Sequence, residues 1–117
     1  MEIFKCTDKD GTTVICTQDT WENHIVSEHP EMDGCETIVK RAIEKPYQIY
    51  QDGRHTARRN IYKPFVLPKP YNTQYLRIVI EYKKKRLTKK LQGYVLTAFP
   101  STKRKGDILI WEGQLRS

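Results

Sequence analysis

The stretch that decides the fold is Tyr-Leu-Arg-Ile-Val-Ile-Glu-Tyr at residues 75–82. Leu76, Ile78 and Ile80 occupy every second position, and Arg77 lies between the first two. A period of two is typical of a β-strand that buries one face and exposes the other. The sequence therefore predicts a central strand whose apolar side faces the core of the protein.

Further strand-like segments lie on both sides of this central strand in the chain. Downstream, a cationic turn near 83–86 leads to a predicted strand over about 90–99, and the apolar residues 108–111 form the last strand. Upstream, residues 47–49 and 61–62 are predicted to form short strands. Together these segments predict an antiparallel sheet of about four strands.

The N-terminal part is predicted to hold a small hairpin and two helices. The runs 2–7 and 12–17 flank an Asp-Gly pair, which is a hairpin signal. A helix beginning near Asp33 should end just before Pro46. Its apolar stripe consists of Ile38, Val39, Ala42 and Ile43. The predicted fold class is α+β, with two N-terminal helices packed on the sheet.

Size and charge limit the classes of function. The chain has 117 residues, which predicts a single domain over 1–117. Lys and Arg number 21 against 14 Asp and Glu, for a net charge of +7. Such a surface attracts polyanions, so nucleic acid, acidic lipid or an acidic protein partner all fit the charge.

The cysteines and the apolar runs indicate the compartment. Cys6, Cys16 and Cys35 are an odd number of scattered cysteines, so we expect no disulfide framework and a reducing cytoplasm. No apolar run approaches the length of about 20 residues that a membrane helix needs, and Met1 is not followed by a signal-peptide pattern. We expect no membrane partner. Without a Cys-x-x-Cys pair, we also expect no metal site.

The first predicted helix, over about 20–29, carries two histidines. A helical period places His29 on the apolar stripe with Trp21 and Ile25, whereas His24 lies about 140° away from that stripe. His29 is then either a core histidine or a proton donor at the end of the helix, where the helix dipole favours the charged imidazole. His24 is either a solvated flank residue or a second catalytic group.

A strand and the following loop carry hydroxyls and cations near 97–105. Thr97 alternates with Val95 and Phe99, so we expect these three side chains on one face of the sheet. Thr97 is either a core residue or, on an open face, a ligand for a phosphate oxygen. The loop after it offers polar side chains that can reach phosphates, namely Ser101, Thr102, Lys103 and Lys105.

A basic stretch with an interleaved aromatic residue follows the helices. Arg58 and Arg59 can grip phosphate bidentately, Tyr62 can stack on an unpaired base, and Lys63 adds a further cation. A second basic block over 83–90 lies at a predicted hairpin tip, where we expect it to give electrostatic attraction rather than chemistry.

Taken in order along the chain, these segments resemble one nuclease superfamily. The chain resembles the phage-encoded branch of the barnase, EndoU, colicin tRNase and RelE-like (BECR) nucleases over about 13–111. The segments that carry the resemblance are Val-Ile-Cys-Thr at 14–17, Trp-x-x-His-Ile-x-x-x-His-Pro-Glu at 21–31, Tyr-Leu-Arg-Ile-Val-Ile at 75–80, Thr-Ala-Phe-Pro-Ser-Thr at 97–102 and Leu-Ile-Trp at 109–111.

The resemblance implies a barnase/RelE-like fold and an endoribonuclease that needs no metal or other cofactor. In such an enzyme the 2′-hydroxyl of RNA attacks the adjacent phosphate. The candidate catalytic residues are His24, His29, Arg58, Arg59, Thr97 and Lys103. The candidate substrate-binding residues are Tyr62, Lys63, Ser101, Thr102 and Lys105.

Three functions remain open at this point. The first is a cytoplasmic endoribonuclease acting as a toxin or phage-derived effector, with RNA as its partner. The second is a basic RNA-binding module of the same fold that does not cleave. The third is a BrnT-like toxin that an acidic antitoxin or immunity protein neutralises.

Overall fold

The structure is a computed structural model that describes residues 1–102 and 108–113. Within these ranges the chain forms seven β-strands. They are β1 (Glu2–Thr7), β2 (Thr13–Thr17), β3 (Gln48–Gln51), β4 (Arg58–Pro64), β5 (Tyr75–Lys84), β6 (Leu91–Ser101) and β7 (Ile108–Glu112). The central strand predicted from the alternating pattern is confirmed as β5, with Leu76, Ile78 and Ile80 fully buried.

All of these described strands belong to one mixed sheet, in the order β1-β2-β6-β5-β4-β3-β7. Neighbouring strands are antiparallel except β2 and β6, which run parallel. The predicted architecture, with two helices on an antiparallel sheet of about four strands and a separate hairpin, is therefore wrong. The local patterns identify strands, but they do not reveal that the hairpin and β7 extend the sheet at its two ends.

The N-terminal hairpin joins the sheet through β2, which pairs with β6 at Gly93. Gly11 adopts a φ of +83° in the hairpin turn, a backbone conformation that glycine tolerates. Beyond the turn, Val14 lies opposite Gly93 and Ile15 opposite Tyr94 in the parallel pairing of β2 with β6. A Cβ atom on Gly93 would lie 3.1 Å from Cγ2 of Val14, so the missing side chain allows the two strands to approach.

The helical part of the chain is short. The first helical segment begins as α1 (Gln18–Thr20), continues as a π-helical stretch (Trp21–Val26) and is followed by a 3₁₀ turn (Pro30–Met32). Its N-cap is Thr17, whose Oγ1 accepts a hydrogen bond of 3.1 Å from the Thr20 backbone N–H. The helix therefore begins at Gln18, before the predicted start near residue 20.

The second helix, α2 (Glu36–Glu44), ends before Pro46 as predicted. Val39, Ala42 and Ile43 are buried against the sheet. They share one apolar cluster with Trp21 and Ile25 of the first helical segment and with the apolar side of β5. The helices therefore cover one face of the sheet, which we call the core face. None of the described helices is long and apolar enough to cross a membrane.

A β-bulge in β6 decides which residues face away from the core. Val79 pairs with Thr97, but the next residue of β5, Ile80, pairs with Val95, so Leu96 is an extra residue in β6. Val95 is buried on the core face, whereas Thr97 lies on the opposite face. The prediction that Val95, Thr97 and Phe99 share one face is therefore wrong, because the bulge reverses the alternation between Val95 and Thr97.

Candidate nucleic-acid interface

Aromatic and polar side chains gather on the sheet face opposite the core face. The strand register places them there. Each of these residues pairs with a residue of the neighbouring strand whose side chain also points away from the core, and paired residues share one face of a sheet. We call this surface the polar face and define it by Tyr50, Asn60, Tyr62, Tyr75, Arg77, Thr97 and Phe99. All of these side chains except Asn60 and Tyr62 are partly exposed.

Arg77 lies at the centre of the polar face. Its Nε and Nη2 atoms donate hydrogen bonds of 3.3 and 3.2 Å to Oδ1 of Asn60. Its Cζ atom lies 5.4 Å from the centroid of the Phe99 ring and 5.9 Å from that of Tyr62. In the described part of the chain no carboxylate forms an ion pair with this guanidinium. Arg77 is thus a fixed cation with hydrogen-bond donors left for a ligand.

His29 reaches the same aromatic ring. Its imidazole stacks on Phe99 with a centroid distance of 4.9 Å and an interplanar angle of 19°. The His29 backbone N–H donates a 2.7 Å hydrogen bond to the carbonyl of Ile25, so the residue lies at the C-terminal end of the first helical segment. Its side chain is 30% exposed, and its Nδ1 lies 3.9 Å from Oε2 of Glu31. A titratable imidazole and Arg77 therefore contact one ring.

Tyr62 supports the polar face from below. Its side chain is 0% exposed. The rings of Tyr50 and Tyr75 meet it edge to face, with centroid distances of 5.5 and 6.1 Å. In this packing the Tyr62 ring holds Arg77 and its aromatic neighbours in place, and it offers no free surface to a base. The partly exposed rings of Tyr50 and Tyr75 are the ones that a base can reach.

The two adjacent arginines of β4 diverge. Nε of Arg58 donates a 3.1 Å hydrogen bond to Oε2 of Glu81, and Nζ of Lys83 lies 3.3 Å from the other oxygen. The Arg58 hydrogen bond, followed by that from Lys83, lowers the pKa of Glu81. Arg59 lies on the core side, with its Cζ 5.1 Å from the centroid of the Tyr82 ring. Arg58 is thus paired, and Arg59 is not on the polar face.

His24 lies apart from His29. Its side chain is 57% exposed, and its Nε2 is 3.7 Å from Oδ2 of Asp19, five residues earlier. The two residues come together because the π-helical turn brings residues five apart onto one side. The structure separates the two histidines, as the helical period predicts.

The remaining candidates lie at different places. Nζ of Lys63 donates a 2.7 Å hydrogen bond to the carbonyl of Lys45, on the side of the sheet that α2 covers. Ser101 ends β6 opposite Tyr75, and Thr102 is exposed just beyond it. The other two candidates, Lys103 and Lys105, lie outside the described residues. Of the predicted site residues, Tyr62 and Thr97 lie on the polar face, and His29 reaches its Phe99 ring.

Sequence reasoning missed Arg77, Asn60 and Phe99 as parts of the site. The alternation in β5 already indicates that Arg77 points away from the core. An arginine that points outward from a central strand is a candidate for a functional site. The pairing of Arg77 with Phe99 depends on the register between β5 and β6, which no local pattern specifies.

The chemistry available to this surface comes from one imidazole, one fixed guanidinium and partly exposed tyrosines. Among the residues that the structure describes, no group of three or more His, Cys, Asp or Glu side chains is placed to hold a metal ion. Comparisons of the chain with family models, with curated proteins and with solved structures found no match.

Proposed function

We propose that this protein is an endoribonuclease that binds single-stranded RNA across the polar face. The observation that carries the proposal is the contact of His29 and Arg77 with the same Phe99 ring. Histidine is the side chain best suited to proton transfer near neutral pH, and arginine is suited to binding phosphate. The proposal includes a cytoplasmic location, supported by three free, buried cysteines.

Each polar-face residue has a proposed role. The 2′-hydroxyl gives up its proton to a water molecule and attacks the adjacent phosphorus, the bond from phosphorus to the 5′-oxygen breaks, and a cyclic phosphate forms. His29 donates the proton that the leaving 5′-oxygen takes up, since histidine is suited to proton transfer near neutral pH. Arg77 binds the phosphate as negative charge grows on its oxygens. Tyr50 and Tyr75 stack on unpaired bases.

A second candidate function is RNA binding without cleavage. It is favoured by one observation: in the described part of the chain, His29 is the one imidazole in contact with a polar-face ring, because His24 lies on an exposed flank with Asp19 and His55 lies in the turn between β3 and β4. A face with a single proton-transfer group can bind RNA as well as one with two, but it cleaves more slowly.

The test compares matched histidine variants. The wild type, His29→Phe and His24→Ala are incubated with a fluorescent single-stranded RNA of about ten nucleotides in the presence of a chelator. Phenylalanine preserves the stacking of residue 29 on Phe99 but carries no proton. We expect the wild type and His24→Ala to release products ending in cyclic phosphate, and we expect His29→Phe to bind RNA without cutting it.

Two outcomes would decide against cleavage by this site. If all three proteins bind the RNA and leave it intact, the second candidate function is correct. If His29→Phe cleaves at the wild-type rate, His29 is not the proton donor. Tight binding that survives substitution of Arg77 would further show that RNA binds elsewhere.

A further inference from the structure

A groove of about 600 Å³ runs along α2 on the core side of the sheet. Because α2 packs on the core face, this groove opens away from the polar face. Its floor is apolar and consists of Ile38, Ala42 and Val66, whereas its rim carries Arg41, Glu44, Lys45 and Lys63. The volume lies within the range of about 300–1,000 Å³ that is usual for ligand sites.

The rim of the groove carries positive charges that no described carboxylate pairs with. Nζ of Lys63 donates to the carbonyl of Lys45, which brings the ammonium to the C-terminal end of α2. Burial, followed by the neighbouring Lys45 charge, lowers the pKa of Lys63. Within the described ranges, no carboxylate forms an ion pair with Arg41, Lys45 or Lys63, although Glu44 also lines the groove.

An exposed aromatic residue stands beside this rim. Phe65 lies between Lys63 and Val66 in the chain, and the residue is 68% exposed. Its φ is +61°, in the left-handed region that bulky side chains rarely adopt. Conformations of this kind cluster at binding sites, where the surrounding structure holds them in place. The fold thus presents a large apolar ring to solvent next to an apolar floor.

We propose that this groove docks an acidic amphipathic segment of a partner protein. Apolar side chains of the segment pack on Ile38, Val66 and Phe65, and its carboxylates pair with Arg41 and Lys45. Charge complementarity selects this occupant over a second copy of the chain, because the chain carries a net charge of +7. The apolar floor distinguishes the site from a phosphate-binding surface, which needs cations alone.

This docking does not depend on the proposed RNA cleavage. A partner in the groove leaves the polar face on the other side of the sheet uncovered. The partner would therefore tether or position the protein while RNA still reaches the polar face, and the two surfaces can be tested separately.

The experiment uses the full chain, isotope-labelled for NMR, and a peptide of about 15 residues that carries Leu and Phe on one helical face and Glu on the other. One control peptide replaces every Glu by Lys, and a second scrambles the order at the same composition. We expect the acidic amphipathic peptide alone to shift amide signals of residues 38–45 and 63–66. Its dissociation constant is then compared among charge variants.

The charge variants are matched in number. Arg41→Glu with Lys45→Glu should weaken peptide binding by about tenfold or more, since each reversal replaces an attraction with a repulsion. Lys84→Glu with Lys85→Glu makes the same change at the hairpin tip and should alter binding less than about twofold. Phe65→Gly should weaken binding while leaving the melting temperature unchanged or higher, because glycine accepts the positive φ.

Four results would overturn the proposal. They are equal weakening by both pairs of charge reversals, equal binding of the scrambled peptide, the absence of any shift at the groove with the acidic peptide, and shifts at the groove caused by single-stranded RNA instead. The last result would make the groove an RNA subsite. Loss of RNA cleavage in His29→Phe bears on the proposed function and leaves this test unaffected.

Discussion

At the scale of single residues, the environment of Arg77 determines what the polar face can do. The hydrogen bonds to Asn60 fix the guanidinium plane, and the Phe99 and Tyr62 rings lie near it. Lysine has the same charge but lacks the planar fork and stacks poorly on aromatic rings. Position and shape, rather than charge alone, therefore make Arg77 suitable for binding a phosphate.

Arg77→Lys is predicted to separate charge from geometry. We expect the saturated single-turnover cleavage rate to fall by about 10²-fold, as for the loss of one transition-state donor. We also expect unfolding to become easier by about 1–3 kcal/mol, because Asn60 is buried and loses a donor. Arg58→Lys is the control, since Arg58 already pairs with Glu81 at 3.1 Å. An unchanged rate in Arg77→Lys would show that a point charge suffices.

The three cysteines allow a second test at the residue scale. Burial raises the pKa of Cys6 to about 11 and that of Cys16 to about 12, and burial also raises the pKa of Cys35. At about pH 8 only a small fraction of such thiols is ionised, and the thiolate is the reactive form. We predict that a thiol reagent labels the native protein at least about 100-fold more slowly than the urea-unfolded chain. Fast labelling of native protein would contradict the packing around these residues.

The same thiols have a defined effect on stability. A group whose pKa is higher in the folded state contributes stability below its unfolded pKa, which is about 8.5 for cysteine, and that contribution is lost as pH rises toward the folded value. We therefore predict that the free energy of unfolding falls as the pH increases from about 8 to 11. Urea titrations under reducing conditions at several pH values measure this. A flat profile would contradict the prediction.

At the scale of elements, local patterns predicted most of the strands and few of their partners. The alternation of Leu76, Ile78 and Ile80 and the Asp-Gly turn depend on neighbouring residues, and both predictions are confirmed. The parallel pairing of β2 with β6 joins residues about 80 positions apart, which no short period can indicate. The bulge at Leu96 likewise follows from packing between strands, so the face occupied by Thr97 could not be predicted.

Gly93→Ala tests whether close approach at the junction of β2 and β6 matters. The added Cβ would lie 3.0 Å from side-chain atoms of Ile80 and Tyr82 and 3.1 Å from one of Val14, and all three residues are buried. We predict destabilisation of about 1–3 kcal/mol by overpacking, measured by urea unfolding. In the double variant Gly93→Ala/Val14→Ala, the loss of stability should be smaller than the sum of the losses in the two single variants. Strict additivity would show that the contact is not strained.

At the scale of the whole molecule, positive charge is distributed unevenly. The hairpin between β5 and β6 carries Lys84, Lys85 and Arg86 at its tip, and Leu87 there is 95% exposed. Along β5 this tip lies seven residues from Arg77, or about 24 Å at the usual rise of a strand. The cations of the hairpin tip and the proposed site around Arg77 are therefore separated in space, although composition alone cannot distinguish the two groups of basic residues.

This separation predicts different consequences for two sets of variants. Neutralising Lys84, Lys85 and Arg86 to Gln should weaken RNA association and reduce the slope of log affinity against log salt by about 2, if each cation contacts one phosphate of a single strand. The single-turnover rate at saturating RNA should remain nearly unchanged, because the tip does not reach the scissile phosphate. Arg77→Gln should behave in the opposite way, with a lower saturated rate and a smaller change in salt slope.

Measuring both quantities on the same RNA distinguishes a binding field from a catalytic site. If neutralising the tip abolishes the saturated rate while Arg77→Gln preserves it, the active site lies at the hairpin end of the sheet. In that case Arg58, Glu81 and Lys83, which are linked by ion pairs of 3.1 and 3.3 Å at that end, would be the groups to examine next. The expected result instead places catalysis near Arg77, where β5 and β6 bring together Phe99 and His29.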